Sequence, residues 1–157
     1  MIGSCATLHT DPTWTYLRLG QFRPTRDPSQ LCGCLVSYRL DFTRYSMKRG
    51  GGVADIVEDD DRVVWGVLYD VPDEELNVLD YKEDVKKRYY QRMMIEVLDS
   101  SGNRIPPLTY LVVNQQDTLT LPESYLDLLL RGARDWGLPE EYVESIIAHL
   151  KQSTPAS

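Results

Sequence analysis

Histidine and cysteine are scarce in this chain, and long apolar runs are missing. The two histidines, His9 and His149, lie far apart and neither has a partner at ligand spacing. That argues against a zinc site and against Ser-His or Cys-His nucleophilic catalysis, and no G-x-S-x-G turn is present. The three cysteines, Cys5, Cys32 and Cys34, are an odd number. Cys32 and Cys34 flank a single residue, so on a strand their thiols would share one face in poor geometry for a disulfide. They read as small core side chains, and the chain reads as one for a reducing, cytoplasmic compartment. No apolar run approaches the roughly 20 residues of a membrane span. The first residues lack the basic and apolar regions of a secretory signal. Positive charge is also in short supply: 17 Lys and Arg against 24 Asp and Glu leave a net −7. A nucleic-acid partner gripped through its phosphates is therefore disfavoured.

What is present is the composition of one globular domain. At 157 residues the chain is long enough to bury a core. We place the domain over residues 1–150, with an irregular segment at 1–14 and a frayed polar tail at 151–157. Trp14–Leu19 alternates and reads as a strand ended by Gly20, and Leu31–Phe42 as a stronger one. Thr43–Gly52 is a polar loop closed by Gly50-Gly51-Gly52. It lacks the lysine and hydroxyl ending of a phosphate loop. Val53–Val57 and Arg62–Tyr69 read as a hairpin turning at the acidic run Glu58–Asp61. A second hairpin is expected from Tyr89–Leu98 and Leu108–Val113. Helices are expected over Pro72–Glu83, Pro122–Trp136 and Pro139–Leu150, each opening on proline with acidic residues in its first turn. The sum is an α+β domain: a small, mainly antiparallel β-barrel with helices packed outside.

With metals and nucleophilic triads disfavoured, one carboxylate stands out. Strand 63–69, the break at Pro72 and the acidic helix after it deliver Glu83 to a fixed place. A carboxylate at a helix C-terminus faces the negative end of the dipole, which favours its protonated form. Packing against aromatic residues of the next strand would act in the same direction. Such a group can serve as a general base. The commoner fate of a glutamate in this setting is a solvated side chain paired with Lys86 or Lys87. Tyr90, Tyr110 and Tyr125 could surround the carboxylate, although each taken alone reads as core.

The residues around Glu83 resemble the γ-glutamylcyclotransferase family. Val64-Trp65-Gly66-Val67-Leu68-Tyr69 is followed by Leu79-Asp80-Tyr81-Lys82-Glu83-Asp84-Val85 and then Tyr90. Gly51-Gly52-Val53-Ala54-Asp55-Ile56 precedes them. Thr109-Tyr110-Leu111, Pro122-Glu123-Ser124-Tyr125 and Gly132–Tyr142 come after them in the family's order. The resemblance covers Leu31 to Leu150. It implies a compact barrel with flanking helices and Glu83 as the catalytic glutamate. The implied reaction is attack of a substrate's α-amine on its own γ-glutamyl amide, giving 5-oxoproline and a free amine or amino acid. It implies a small-molecule γ-glutamyl substrate and no metal or organic cofactor. Neither a nucleic acid nor a membrane is an expected partner, and a homodimer is left open. Tyr90, Tyr110 and Tyr125 would line the substrate pocket. The family's Y-G-S-N-type loop has its counterpart at Tyr16-Leu17-Arg18-Leu19-Gly20-Gln21, where a glycine follows a strand but Ser and Asn are replaced. Ile2-Gly3-Ser4-Cys5 is a second, less well placed stretch. Asp84 stands where the family has a small glycine. These departures leave a second reading beside the enzyme: a γ-glutamyl-ligand-binding or interaction module with impaired catalysis.

Overall fold

The computed structural model describes residues 4–9, 23–24, 32–48, 50–73, 76–99, 101–117 and 119–153. Strands β1 (Ser4–His9) and β2 (Arg23–Pro24) precede a long hairpin made of β3 (Cys32–Ser46) and β4 (Gly51–Pro72). β3 and β4 pair antiparallel from Cys32↔Val67 to Ser46↔Gly51. Helix α1 (Leu76–Lys82) and a 3₁₀ turn at Val85–Lys87 lead into β5 (Tyr90–Met94). Then come β6 (Val97–Leu98), β7 (Arg104–Ile105) and β8 (Leu108–Val112), followed by α2 (Glu123–Asp135) and α3 (Glu140–Ser153).

The sheet runs β5-β8-β1-β4-β3-β6-β7, with β2 paired to Tyr69 and Asp70 of β4 on the edge opposite β1. All described pairings are antiparallel except that of β1 with β8. The two ends of this path belong to one hairpin. β5–β8 is its base, and β6–β7 is its tip, joined through Ile95 and Glu96. The base lies against β1 and the tip against β3. The hairpin therefore bends across from one end of the sheet to the other. The sheet is mainly antiparallel, as expected; no pairing closes it among the described residues, so in place of the expected barrel it is a bent sheet.

The core follows from the strand alternation. Leu40, Phe42, Ala54 and Ile56, paired as Leu40↔Ile56 and Phe42↔Ala54, point to one face. That face is covered by Tyr125, Leu129 and Ala133 of α2 and by Tyr142, Val143 and Ile146 of α3. Phe42 and Leu129 are fully buried, each contributing about 2–3 kcal/mol of hydrophobic stabilisation. Between α2 and α3, Gly137 takes φ 71°. Its N–H bonds to the Arg134 carbonyl and that of Leu138 to the Ala133 carbonyl, satisfying the helix's last acceptors.

Four expectations are corrected. Residues 4–9 do not belong to an irregular segment; they form β1, in register with β4 from Ser4↔Pro72 to His9↔Val67. Their small, mixed side chains hide the strand, which depends on partners distant in sequence. Glu58–Asp61 is not a hairpin turn. Both flanks pair with the same strand, and the register jumps from Tyr38↔Glu58 to Val36↔Val63, so residues 59–62 bulge opposite Ser37 at φ 67°. The acidic run is solvated there without ending the strand. The polar loop is shorter than expected, because β3 runs to Ser46 and Gly51 and Gly52 are buried strand residues. A Cβ on Gly51 would meet Pro122 Cδ at 2.6 Å and the Thr120 carbonyl at 2.8 Å. These glycines let residues 119–122 close over the strand. The third helix continues to Ser153, past the expected boundary at residue 150.

Candidate active site

α1 is set by its apolar side. Leu79 is completely buried against Val67, with Leu76, Tyr110 and Trp136 packed around them. The Glu83 N–H adds one more helical bond, 2.8 Å to the Leu79 carbonyl. Asp84 then turns left-handed at φ 51° and stops the helix. That conformation is free for glycine and tolerated by aspartate, which accounts for both residues at this position. The Asp84 carboxylate is held by Lys87 Nζ at 3.0 Å. Arg88, also left-handed, folds the chain back, and the Tyr89 N–H reaches the Asp84 carbonyl at 3.3 Å. The next residue opens β5. Glu83, half-buried, is thus fixed between a helix end and the start of a strand.

Tyr90 is half-buried on that strand. Its phenol pKa is pushed up, first by burial and then by the negative charge of Glu83; Arg44 opposes this and Asp55 adds to it. Tyr90 is consequently a neutral hydrogen-bond donor at working pH. Tyr110 lies two register steps along the same hairpin and donates to Asp80 Oδ1 at 2.9 Å. Arg92 grips the same carboxylate with two bonds of 2.6 Å. Burial and Asp80 push the Tyr110 phenol up as well. The Asp80–Tyr110–Arg92 cluster ties the helix that carries Glu83 to the β5–β8 hairpin.

Tyr125 occupies different surroundings. It is buried in the main core edge-on to Phe42, ring centroids 6.4 Å apart. Its hydroxyl accepts the Ala54 N–H at 3.2 Å. Ala54 faces the core, whereas Asp55, the next residue on β4, points to the opposite face. Tyr16, Leu17, Arg18, Leu19, Gly20 and Gln21 lie outside the described residues. β1 ends at His9, so the stretch directly after the first strand begins at Thr10, upstream of Tyr16.

Sequence reading does not single out Asp55 or Arg44, yet both face Tyr90. Asp55 is 2% exposed and accepts from Thr43 Oγ1 at 2.7 Å, Gln115 Nε2 at 2.6 Å and the Val112 N–H at 3.1 Å. Burial raises its pKa against the lowering effect of these bonds. The available signal is a charged residue inside the apolar run 53–57. Thr43 is the extra residue of a bulge between Phe42↔Ala54 and Arg44↔Val53. The Arg44 guanidinium lies over the Tyr89 ring, 4.2 Å from its centroid, and 5.7 Å from that of Tyr90.

A cavity of about 380 Å³ lies elsewhere, between β3–β4 and α3, lined by Trp65, Tyr142, Ile146 and His149 among others. None of Glu83, Tyr90, Tyr110 and Tyr125 lines it. Among the described residues, no group of three or more His, Cys, Asp and Glu is placed to hold a metal ion. No described helix is long and apolar enough to cross a membrane. Burial pushes the Cys32 and Cys34 thiols up. Both should react slowly with iodoacetamide at pH 7 in the folded protein and rapidly in denaturant, as read by mass spectrometry of their peptides.

Comparison with known proteins agrees with this architecture. The AIG2-like family matches residues 63–146. The γ-glutamylcyclotransferase of Mus musculus is 32% identical over 130 residues, spanning 78% of this chain and 69% of that protein. That of Homo sapiens gives the same identity and coverage. A solved structure of a γ-glutamyl cyclotransferase superposes with a TM-score of 0.80 at 24% identity, covering 99% of this chain and 90% of the other. The fold is thus that of the cyclotransferases. The chain belongs to the AIG2-like family that includes these γ-glutamylcyclotransferases.

Proposed function

We propose that the protein is a γ-glutamylcyclotransferase, converting a γ-glutamyl amino acid or amine to 5-oxoproline and the free amine, with Glu83 as general base and acid. The observation that carries this reading is the placement of Glu83 in a chain of this family. Glu83 is half-buried, its backbone is fixed by the bond to Leu79 and the turn at Asp84, and its negative charge is felt by the phenol of Tyr90.

In the reaction the substrate's α-nitrogen attacks its own γ-carbonyl carbon. Glu83 takes a proton from that nitrogen as the C–N bond of the five-membered ring forms. The oxyanion of the tetrahedral intermediate then collapses, the bond to the leaving nitrogen breaks, and Glu83 returns the proton to it. The nucleophile is part of the substrate, so holding the glutamyl chain folded supplies much of the acceleration. Tyr90 can donate to the substrate, and donors of residues 16–21 can meet the oxyanion. The reducing compartment suggested by the free thiols Cys32 and Cys34 suits this role.

The test is incubation with a panel of γ-glutamyl amino acids and amines, reading 5-oxoproline. Release from at least one member is expected. Binding without release from any member would identify a binding module and end the enzyme reading. Tyr110 and Arg92 act through the helix that bears Glu83. Tyr110→Phe removes the bond to Asp80 while Arg92 keeps its two, so kcat should fall roughly threefold to tenfold with KM little changed.

A further inference from the structure

We propose that Arg44, laid across Tyr89 and Tyr90, is the clamp that takes a carboxylate of the substrate. The inference rests on the cyclotransferase reading and deepens it, because it says which chemical group the site selects. A γ-glutamyl amino acid carries a carboxylate on its glutamyl part and another on its leaving part. A γ-glutamyl amine carries only the first.

Three observations support the assignment. The first is position. The guanidinium sits 4.2 Å above the Tyr89 ring, and the Tyr89 N–H is bonded to the carbonyl of Asp84, the residue after Glu83. Arg44 therefore stands on the same folded-back turn that fixes the proposed base. The second is orientation. The bulge at Thr43 breaks the β3–β4 register just before Arg44; bulges re-aim the side chains beside them. Thr43 itself turns to Asp55. The third is charge. Arg39 and Arg92 are each tied to a described carboxylate within ion-pair distance. Arg44 forms no ion pair among the described residues, and Asp55, the buried carboxylate of the cluster, already accepts from Thr43, Gln115 and Val112. One Arg44 N–H is engaged by the Tyr90 hydroxyl; a guanidinium held flat on an aromatic ring carries five donors along its edge, and those left over match a carboxylate with two parallel N–H donors.

Arg44→Gln, Arg44→Lys and Tyr89→Leu should be compared with wild type on γ-glutamyl-alanine and γ-glutamyl-ethylamine. Arg44→Gln should raise KM about ten- to hundredfold, with kcat changed much less. Arg44→Lys should recover part of the loss, and Tyr89→Leu should raise KM by a smaller factor. A rise confined to γ-glutamyl-alanine assigns the clamp to the leaving-group carboxylate; an equal rise on both substrates assigns it to the glutamyl carboxylate. Unchanged KM on both for folded Arg44→Gln overturns the proposal. Calorimetric binding of glutarate, with its salt dependence, gives a readout free of turnover. If wild type turns over no substrate, the cyclotransferase reading fails; weaker glutarate binding by Arg44→Gln would then still support the clamp. Equal binding by the two proteins would end it. Should Arg44→Gln fail to fold, Arg44→Lys and Tyr89→Leu carry the same comparison.

Discussion

Glu83→Gln is expected to lower kcat for 5-oxoproline release about 10²- to 10⁴-fold, the usual contribution of a positioned general base. Glutamine matches the shape of glutamate, and the backbone bonds that set position 83 do not involve its side chain: the N–H to Leu79 and the turn closed at Asp84. What disappears is the proton acceptor. The effect should therefore fall on kcat, with KM and the melting temperature nearly unchanged. Some activity should survive, because a folded substrate still brings amine and carbonyl together. A variant that releases 5-oxoproline at the wild-type rate would remove Glu83 from the chemistry. Asp84→Gly is the useful companion. It relaxes a left-handed position and deletes the Lys87 pair, an exposed contact worth little. It should leave kcat within a few fold of wild type, separating the base from the residue beside it.

The sequence shows Glu83 clearly and its surroundings poorly, for physical reasons. The helix ending there is written locally at its end: apolar residues at helical spacing that include Leu79, and a residue at 84 that can turn left-handed. Its expected opening at Pro72 is not found, because Pro72 pairs with Ser4 as the last residue of β4 and the helix starts at Leu76. Hairpin β5–β8 and helices α2 and α3 are likewise legible from alternation, turn residues and terminal glycine. β1 is not, since Ser4–His9 carries little apolar pattern and exists as a strand because β4 and β8 pair with it. The acidic run at 58–61 misleads in the opposite way. It looks like a turn, but the partner strand continues past it, and the extra residues loop out of the ladder. Tyr110 and Tyr125 look equivalent in sequence. One reaches Asp80 on the helix of Glu83 and the other caps a backbone amide within the core. Their difference comes from the faces of two distant elements, which no local pattern records. Arg44 and Asp55 are hidden for the same reason. Each acquires its meaning from partners on β5, β8 or the segment after β8.

Asp55 carries the largest stability effect expected at the site. Asp55→Ala should cost roughly 3 kcal/mol or more, because it strands the Val112 N–H, the Thr43 hydroxyl and the Gln115 amide, each left without its acceptor. Asp55→Asn should cost much less. With its carbonyl at the Oδ1 position it still accepts from the Val112 N–H, and its NH₂ at the Oδ2 position can donate to the Thr43 hydroxyl oxygen or, if Gln115 turns its amide and gives up its bond to the Ile56 carbonyl, to Gln115 Oε1. Removing the charge also removes the cost of burying it. The two variants separate loss of acceptors from loss of charge, and pH supplies the third axis. The carboxyl of Asp55 has a pKa above its ordinary value because burial disfavours the ionised form. An acid raised in the folded state binds its proton more tightly there than in the unfolded chain. Its contribution is therefore most favourable below the unfolded pKa, about 3.9. It is lost as pH climbs from that value through the raised folded pKa, and is constant above it. The stability difference between Asp55→Asn and wild type should accordingly shift in favour of the variant as pH rises through that window. Urea unfolding of both proteins between pH 4 and pH 8 reads the difference directly, since the other carboxylates titrate alike in each. A difference independent of pH would mean that the three donors hold Asp55 ionised at no net cost. In that case the buried carboxylate facing Tyr90 would be a fixed negative charge of the site down to acid pH.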